Sequence, residues 1–259
     1  MKKLIWIRDL KENHSEDYYN YLTERANKNG IELIFYEDDT LPHIYDGTVL
    51  MKRSLTDNIR EKLKCANMVN TIDSIDVIKD KIKTKEIIQE ALGSEYVLKT
   101  YYDKKDVDKF PVLIKPIKGM QGNCIKLINT KEELDETDTT DMLIEEYGGT
   151  NPNKSLDYRA YVLNQEILLF IRKTNDGLVS NAAKGGRVHL EPTELTEDVL
   201  FAIEEVAGVF RRGYYAIDFL IKDNKVKILE LNSNPGAKYA TYAGLDYYSI
   251  FFEKLSKSF

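Results

Sequence analysis

The segment from Tyr214 to Asn232 constrains the fold most, because it reads as two apolar strands joined at Asp223–Asn224. In the hairpin that this turn predicts, Asp218 comes close to Glu230 across the ladder, within a register slip of one or two residues. Side chains alternate along a strand with period two, so Glu230 and Asn232 share a face. The sequence therefore predicts that three oxygen-bearing side chains converge on one patch.

Two carboxylates placed together on an apolar sheet repel each other unless they share a proton or meet a cation. Hard oxygen ligands suit Mg²⁺, which commonly takes one or two carboxylates together with substrate phosphates. This pattern favours a metal-dependent nucleotide site. The alternative interpretation is structural: Asp218 points outward and Glu230 pairs with Lys225 or Lys227. The hairpin alone does not decide between the two.

Composition narrows the class of protein. The 259 residues are 42% hydrophobic and 31% charged, which is ordinary for a soluble globular protein. A net charge of -6 leaves no basic footprint for nucleic acid, so no nucleic-acid partner is expected. Two cysteines and three histidines form neither a disulfide framework nor a zinc pattern. The apolar run at residues 4–7 is too short for a signal peptide, so we expect a cytoplasmic protein without a membrane partner.

The order of predicted elements indicates an α+β fold. The first 70 residues alternate strand and helix, which predicts a parallel sheet. A helix is predicted from Ser74 to about Ala91, a strand over Tyr96–Tyr102, and a further helix near Val107. A second hairpin is predicted with its turn at Asn164–Gln165. Strand pairs and helices are mixed in the body of the chain rather than alternating strictly.

Two lysines stand out beside these apolar elements. Lys115 closes an apolar strand, and Lys81 lies in the segment "VIKDKIK". Lysines in buried strands rarely lack a partner, because burying an unpaired charge is costly. Gly119 and Gly122 follow Lys115 and would let backbone amides approach a phosphate. The loop matches neither a Walker P-loop nor a dinucleotide-binding loop.

Seven segments occur in the order and spacing of a known family. They are "NTIDSIDVIKDK", "VLIKPIKGMQG", "MLIEEY", "DYRAYVLNQEILLFIRK", "SNAAKGG", "AIDFL" and "ILELNSNPG". Together, over roughly residues 70–246, they resemble the RimK-like carboxylate–amine ligase branch of the ATP-grasp superfamily. The resemblance implies two α+β lobes that clasp ATP. It places a small α/β domain at residues 1–70, a central lobe with its lid at 71–145, and a C-terminal lobe with the magnesium site at 146–259.

The resemblance also implies roles for individual positions. Two lysines would contact the ATP phosphates, two residues would lie in the lid, three would form the adenine hinge and one would lie near the ribose. In that order they are Lys81, Lys115, Gln121, Gly122, Glu145, Glu146, Tyr147 and Asp157. The groups facing the γ-phosphate and the acyl phosphate would be Arg159, Arg172 and Asn181.

The remaining positions are matched to the metal and to the substrate. Asp218, Glu230 and Asn232 would be the metal ligands. The substrate side would be formed by Lys184, Gly185, Gly186, Lys238, Tyr239 and Tyr242. One departure is Cys124, which stands where the family usually has a glycine. The N-terminal unit, which helps to form the substrate side, is also shorter than usual in this branch.

The implied activity is an ADP-forming ligase that joins a carboxylate to an amine through an acyl phosphate. Its cofactors would be ATP and Mg²⁺, with Mn²⁺ as an alternative metal, and its substrate an amino acid or peptide. An ester- or amide-forming maturase of ribosomal peptides is a second interpretation, because a hydroxyl acceptor changes only the last step. An ATP-binding module without catalysis is a third. A homodimer is an open alternative to a monomer, because the sequence shows no interface.

Overall fold

The fold comes from a computed structural model, which describes residues 1–8, 14–37, 40–42, 44–52, 55–118, 124–149, 151–178, 186–190, 195–210 and 213–258. Within these ranges the strands form three sheets, of three, five and four strands. The mixture of helices, hairpins and one small parallel sheet confirms the predicted α+β class. In the described part of the chain, no helix combines the length and apolar character that a membrane crossing requires.

The N-terminal unit is built on a parallel sheet with strand order β2-β1-β3. Its elements are β1 (Lys2–Arg8), α1 (Glu16–Lys28), β2 (Ile31–Tyr36), β3 (Thr48–Lys52) and α2 (Asp57–Leu63). Ser15 caps α1 by accepting a hydrogen bond from the Tyr18 amide, and Gly30 follows the helix with a φ of 71°. The predicted strand–helix–strand order is confirmed. Trp6 of β1 packs against Tyr248 near the C-terminus, which joins this unit to the rest of the molecule.

Two helices follow where the sequence predicted one from Ser74 to about Ala91. They are α3 (Ile72–Lys79) and α4 (Lys81–Leu92). The single-helix prediction is wrong because Asp80 has extended backbone angles and caps α4. Its carboxylate accepts hydrogen bonds from the Ile82 and Lys83 amides, both at 3.1 Å. As a result Lys81 lies in the first turn of a new helix, with a buried side chain.

The central sheet is antiparallel with strand order β4-β7-β5-β6. Its elements are β4 (Thr100–Tyr101), β5 (Val112–Pro116), β6 (Lys126–Ile128), α5 (Lys131–Glu136) and β7 (Met142–Glu146). The strand predicted over Tyr96–Tyr102 is therefore shorter, and the helix predicted near Val107 is a 3-10 turn at Lys104–Asp106. One face of this sheet is apolar and packs on α5. The other carries Lys115 and Glu145.

The C-terminal part holds a five-stranded antiparallel sheet with strand order β10-β9-β8-β11-β12. Its elements are β8 (Ser155–Leu163), β9 (Glu166–Asn175), β10 (Arg187–Leu190), α6 (Glu197–Val209), β11 (Tyr214–Lys222), β12 (Lys225–Asn232), α7 (Lys238–Tyr242) and α8 (Tyr247–Ser258). Both hairpin turns are confirmed, because all four central residues have positive φ: Asn164, Gln165, Asp223 and Asn224. One face of the sheet packs on α6, and part of the other packs on α8 and the N-terminal unit.

A buried asparagine joins these parts beside β12. The Asn70 side chain donates to the carbonyls of Tyr214 and Ser233, both at 2.7 Å, and accepts from the Tyr214 amide. The segment after β12 is thereby held against the exit from the N-terminal unit. The three sheets lie within residues 2–52, 100–146 and 155–232. The division into three domains itself remains a prediction.

Candidate active site

The hairpin of β11 and β12 brings the predicted metal ligands together. Asp218 lies opposite Glu230 in the ladder, and Ala216 lies opposite Asn232, so the three oxygen-bearing side chains occupy one face. In the ladder, Phe219 pairs with Ile228, and the next residue, Asp218, pairs with Glu230. Leu229 is therefore left without a partner and forms a β-bulge in β12. The bulge places Glu230 on the same face as Asp218.

Asp218 is buried and bonded to two cations. Arg159, its neighbour on β8, donates from Nε to Oδ1 at 2.8 Å and from Nη2 to Oδ2 at 2.5 Å. Lys173 donates to Oδ1 at 2.8 Å. Burial alone would raise the pKa of Asp218, but Arg159 and Lys173 outweigh it and hold that pKa well below its ordinary value. The alternative in which Asp218 points outward is wrong.

Lys173 completes a four-residue group that we call the C-lobe cluster: Asp157, Arg159, Lys173 and Asp218. Its ammonium lies 2.8 Å from Asp157 Oδ1 as well as from Asp218. Burial would lower the pKa of Lys173, but the two carboxylates outweigh burial and raise it. The cluster contains two cations and two anions, so its formal charges cancel.

The register corrects the prediction that Arg159 and Arg172 face the same phosphates. Arg159 lies opposite Ile171, whereas Arg172 lies opposite Tyr158, so the two arginines project from opposite faces of the sheet. The cause is a β-bulge at Leu168, which shifts the β8–β9 ladder by one residue. The cation on the Arg159 face is Lys173, which the sequence analysis missed. Without the bulge, counting from the turn would place Arg172 on that face.

A second group of charges, the lysine cluster, reaches the hairpin from α4 and the central sheet, and we call the space between these elements and the five-stranded sheet the cleft. It comprises Lys81, Lys85 and Lys115 with Glu145. The Lys115 ammonium lies 2.6 Å from Glu145 Oε1 and donates to the carbonyl of the bulged Leu229 at 3.2 Å. Lys81 Nζ lies 3.6 Å from Glu230 Oε2, so the suggested partners Lys225 and Lys227 are not the lysines next to that carboxylate. Burial lowers the pKa of Lys81, despite the opposing effect of Glu230. Both predicted phosphate lysines therefore contact the predicted metal hairpin.

Lys85 is the member of the lysine cluster that the sequence analysis missed. It is 4% exposed, lies one turn beyond Lys81 on α4, and donates to Glu145 Oε2. Residues four apart share a face of a helix, so the spacing from Lys81 could have identified it. Burial would raise the pKa of Glu145, but Lys115 and Lys85 outweigh it and lower that pKa.

The predicted adenine hinge lies at the end of β7, between the two sheets. The Glu146 amide donates to the Lys99 carbonyl at 2.9 Å, and the Tyr147 amide donates to the Pro111 carbonyl at 3.2 Å. Both amides are therefore bonded within the protein, and the backbone groups that Glu146 and Tyr147 could offer to adenine do not include them. Gly148 follows in a tight space, where a Cβ would meet Leu220 Cδ2 at 2.7 Å. The role of this segment at adenine stays a prediction.

The oxygen donors of the hairpin fit a hard cation. Across the described ranges, no three His, Cys, Asp or Glu side chains gather into a metal-binding group. The candidate set is instead the carboxylates of Asp218 and Glu230 with the amide oxygen of Asn232, which also accepts the Asn234 amide at 3.0 Å. A site that offers two carboxylates and few other protein ligands suits Mg²⁺ when phosphate oxygens complete the coordination of the metal.

The other predicted positions divide into two groups. Five lie outside the described residues: Gln121, Gly122, Asn181, Lys184 and Gly185. Gly186 immediately precedes β10, and Lys238 lies on the exposed side of α7 with its ammonium 5.4 Å from the Tyr242 ring. The Tyr239 ring lies 4.7 Å from Arg159 Cζ and 5.5 Å from Lys173 Nζ, so it borders the C-lobe cluster.

Comparison with known proteins identifies the family. A model of the RimK-like ATP-grasp domain matches residues 59–251, and the chain therefore belongs to this family. A D-alanine–D-alanine ligase of Fusobacterium nucleatum is 31% identical over 169 residues, which are 61% of this chain and 56% of the relative. The coenzyme gamma-F420-2:alpha-L-glutamate ligase of Methanococcus maripaludis is 26% identical over 196 residues, or 69% and 66% of the two chains.

Solved structures show the same fold at low sequence identity. D-cycloserine synthetase has a TM-score of 0.75 at 10% identity, with 99% of each chain covered. A RiPP-associated ATP-grasp ligase of Chryseobacterium gregarium, in complex with ADP and a leader and core peptide, has a TM-score of 0.68 at 18% identity, covering 100% of this chain and 97% of that one. The ligase PsnB with Mg and ADP has a TM-score of 0.67 at 13% identity, covering 99% of both. The ATP-grasp fold predicted from the sequence is confirmed.

Proposed function

We propose that this protein is an ATP-dependent carboxylate–amine ligase. One observation carries the proposal: two buried lysines of one lobe reach a hairpin of the other that presents two carboxylates and an amide. Lys115 contacts the Leu229 carbonyl at 3.2 Å, and Lys81 lies 3.6 Å from Glu230. Paired cations opposite hard oxygen donors suit a triphosphate that carries a divalent ion. Family membership supports the same assignment.

The proposed reaction has two steps. A substrate carboxylate oxygen attacks the γ-phosphorus of ATP, the bond to the bridging oxygen breaks, and ADP leaves. A neutral amine then attacks the acyl carbon of the acyl phosphate, phosphate leaves, and the amine loses a proton as the amide forms. Protein groups contribute mainly by positioning and by stabilising charge on the transferring phosphoryl group.

The described residues have distinct parts in this proposal. Lys81 and Lys115 would bind the phosphates from the central lobe, whereas Arg159 and Lys173 would face the reacting groups from the C-terminal lobe. Asp218, Glu230 and Asn232 would hold Mg²⁺, which offsets phosphate charge when bound. Arg172 takes no part, because it projects from the other face of the sheet.

The proposed substrate is an amino acid or a peptide that supplies the carboxylate, and the acceptor is an amine. The named activities of the two curated relatives, a D-alanine–D-alanine ligase and a glutamate ligase, support this class. Lys238, Tyr239 and Tyr242 follow the metal hairpin and would form part of the substrate side. We place the reaction in the cytoplasm, because it consumes ATP.

Hydroxylamine trapping tests the first step without knowledge of the acceptor. The protein is incubated with ATP, Mg²⁺, hydroxylamine and a panel of amino acids and short peptides, and hydroxamates and ADP are measured. We expect equal amounts of hydroxamate and ADP with a subset of carboxylates, and neither product with Glu230→Gln. ADP release without hydroxamate from any carboxylate would contradict the proposal.

The same reaction run with candidate acceptors in place of hydroxylamine separates the other functions left open by the sequence. An ester product is cleaved by mild base whereas an amide is not, so product stability distinguishes a hydroxyl acceptor from an amine. Nucleotide binding without ADP release under any condition would favour a binding module. The charged groups that the structure does describe, Lys81, Lys115, Arg159 and Lys173 with the hairpin carboxylates, support the catalytic alternative.

A further inference from the structure

Lys85 has no part in the proposed reaction, yet it is buried among the groups that perform it. The side chain is 4% exposed and donates to Glu145 Oε2, while Lys115 Nζ lies 2.6 Å from Glu145 Oε1. Glu145 itself is 1% exposed. One buried carboxylate thus holds two ammonium groups from different elements, one on α4 and one on β5.

The charges of this group do not balance. Glu145 and Lys115 alone would form a neutral pair, and Lys85 adds a positive charge in a site closed to water. An unbalanced buried charge is costly unless a counter-ion accompanies it. The excess positive charge therefore marks a place where an anion is accommodated, and Lys115 is the member that also reaches the opposite lobe, at Leu229.

We propose that Lys85 is a positioning residue that allows Lys115 to leave Glu145 and bind the triphosphate. When Lys115 moves to a phosphate oxygen, Lys85 remains on Glu145, so no buried carboxylate is left without a partner. Without Lys85, the same movement would strand the Glu145 charge, and Lys115 would stay bound to the carboxylate. This inference rests on the proposed function, because it assigns the anion to ATP.

The geometry makes a specific prediction about pairs of substitutions. Lys85→Met removes the second cation and should retain Lys115 on Glu145, which weakens nucleotide binding. Glu145→Gln removes the charge that would be stranded, so adding it to Lys85→Met should restore binding. A merely structural Lys85 would give no such restoration, because the second substitution removes another buried hydrogen-bond partner.

The experiment is calorimetric titration of the purified chain with Mg²⁺ and a non-hydrolysable ATP analogue, which needs no substrate. We expect Lys85→Met to weaken binding about tenfold relative to the wild type, and Lys85→Met/Glu145→Gln to bind within about threefold of Glu145→Gln alone. Lys83→Met is the matched control, because Lys83 is an exposed lysine on the same helix. Thermal unfolding checks that each variant folds. Lys85→Gln, which keeps a donor without the charge, replaces Lys85→Met if that variant does not fold, and the same weakening is expected.

Two results would overturn the inference. Unchanged binding in Lys85→Met, with tight binding by the wild type, would leave the ligase proposal intact and remove the role of Lys85. Weakened binding that Glu145→Gln does not restore would assign Lys85 a structural role alone. No binding by the wild type would instead contradict the proposed function, and the role of Lys85 would fall with it.

Discussion

The two charged groups on either side of the cleft differ in how closely their positive and negative charges balance. The C-lobe cluster has two cations and two anions with contacts of 2.5–2.8 Å, so it is neutral without any ligand. The lysine cluster has three buried lysines but only one carboxylate, Glu145. A second carboxylate, Glu230 of the hairpin, lies next to Lys81 across the cleft. A closed network fixes the positions of its groups, whereas an unbalanced one is ready to accept an anion. In the proposed function, the C-lobe cluster would supply the fixed geometry and the lysine cluster would supply the affinity for phosphate.

The largest expected effect is on the two carboxylates of the hairpin, whose removal should change the free energy of unfolding by different amounts. Asp218→Ala should abolish turnover and lower the free energy of unfolding by about 3–5 kcal/mol, because Arg159 and Lys173 lose their buried partner. Glu230→Ala should also abolish turnover, yet change stability by less than about 1 kcal/mol, because its side chain is 33% exposed and its neighbour Lys81 is 3.6 Å away. Urea denaturation and ADP release measure the two quantities. Equal destabilisation by both substitutions would contradict the contrast between the clusters.

The next effect tests the register of β9. Lys173→Met should lower the rate by at least about 100-fold, because Lys173 shares the cleft face with Arg159. Arg172→Met, one residue away on the other face, is the matched control and should cost less than about tenfold. Steady-state ADP release with a substrate found by trapping provides the rates. A larger loss in Arg172→Met than in Lys173→Met would contradict the assignment of Lys173 to the face of Arg159.

A smaller effect concerns the pH dependence of the lysine cluster. The pKa of Glu145 is lowered from its ordinary value of 4.5, because Lys115 and Lys85 outweigh the opposing effect of burial. The resulting stabilisation is fully present above that ordinary value and is lost as the pH falls through the lower pKa of the folded state. The difference in free energy of unfolding between wild type and Glu145→Gln should therefore narrow below pH 4.5. Urea denaturation at several pH values measures it, and a constant difference would contradict the ion pairing.

The smallest expected effect lies away from both clusters. Cys124 has a φ of 59°, in the left-handed region that favours glycine, at the position where the family usually has glycine. Cys124→Gly should therefore raise the free energy of unfolding by up to about 1 kcal/mol. Thermal unfolding of the two proteins is the measurement. A clear loss of stability in the glycine variant would show that the thiol makes a contact that outweighs the backbone preference.

The hairpins could be predicted from the sequence, whereas the faces of their strands could not. Asn164–Gln165 and Asp223–Asn224 are turn dipeptides that tolerate positive φ, which fixes where each hairpin folds. The bulges at Leu168 and Leu229 add one residue to a strand without a local sequence signal. A one-residue slip exchanges the two faces of a strand. For this reason the sequence predicts the meeting of Asp218 with Glu230 only within a slip of one or two residues, and the strand pattern alone does not decide whether Arg172 or Lys173 shares a face with Arg159.

The break between α3 and α4 at Asp80 could have been predicted from the residue type, but the apolar periodicity of the segment favours one continuous helix. Asp80 is a common capping residue, but apolar residues continue on both sides of it and suggest a single helix. The cap sets the phase of α4, which directs Lys81 and Lys85 into the cleft. The contacts of Lys85 with Glu145 depend on the packing of a helix on a distant strand, and no local pattern encodes that packing.

The most direct test of the central claim is a crystal structure of the chain with Mg²⁺ and a non-hydrolysable ATP analogue. We expect the triphosphate to lie between the lysine cluster and the hairpin, with Lys81 and Lys115 on phosphate oxygens and the metal on Glu230, Asn232 and Asp218. A nucleotide bound outside this cleft, or a metal that does not contact Glu230, would contradict the account.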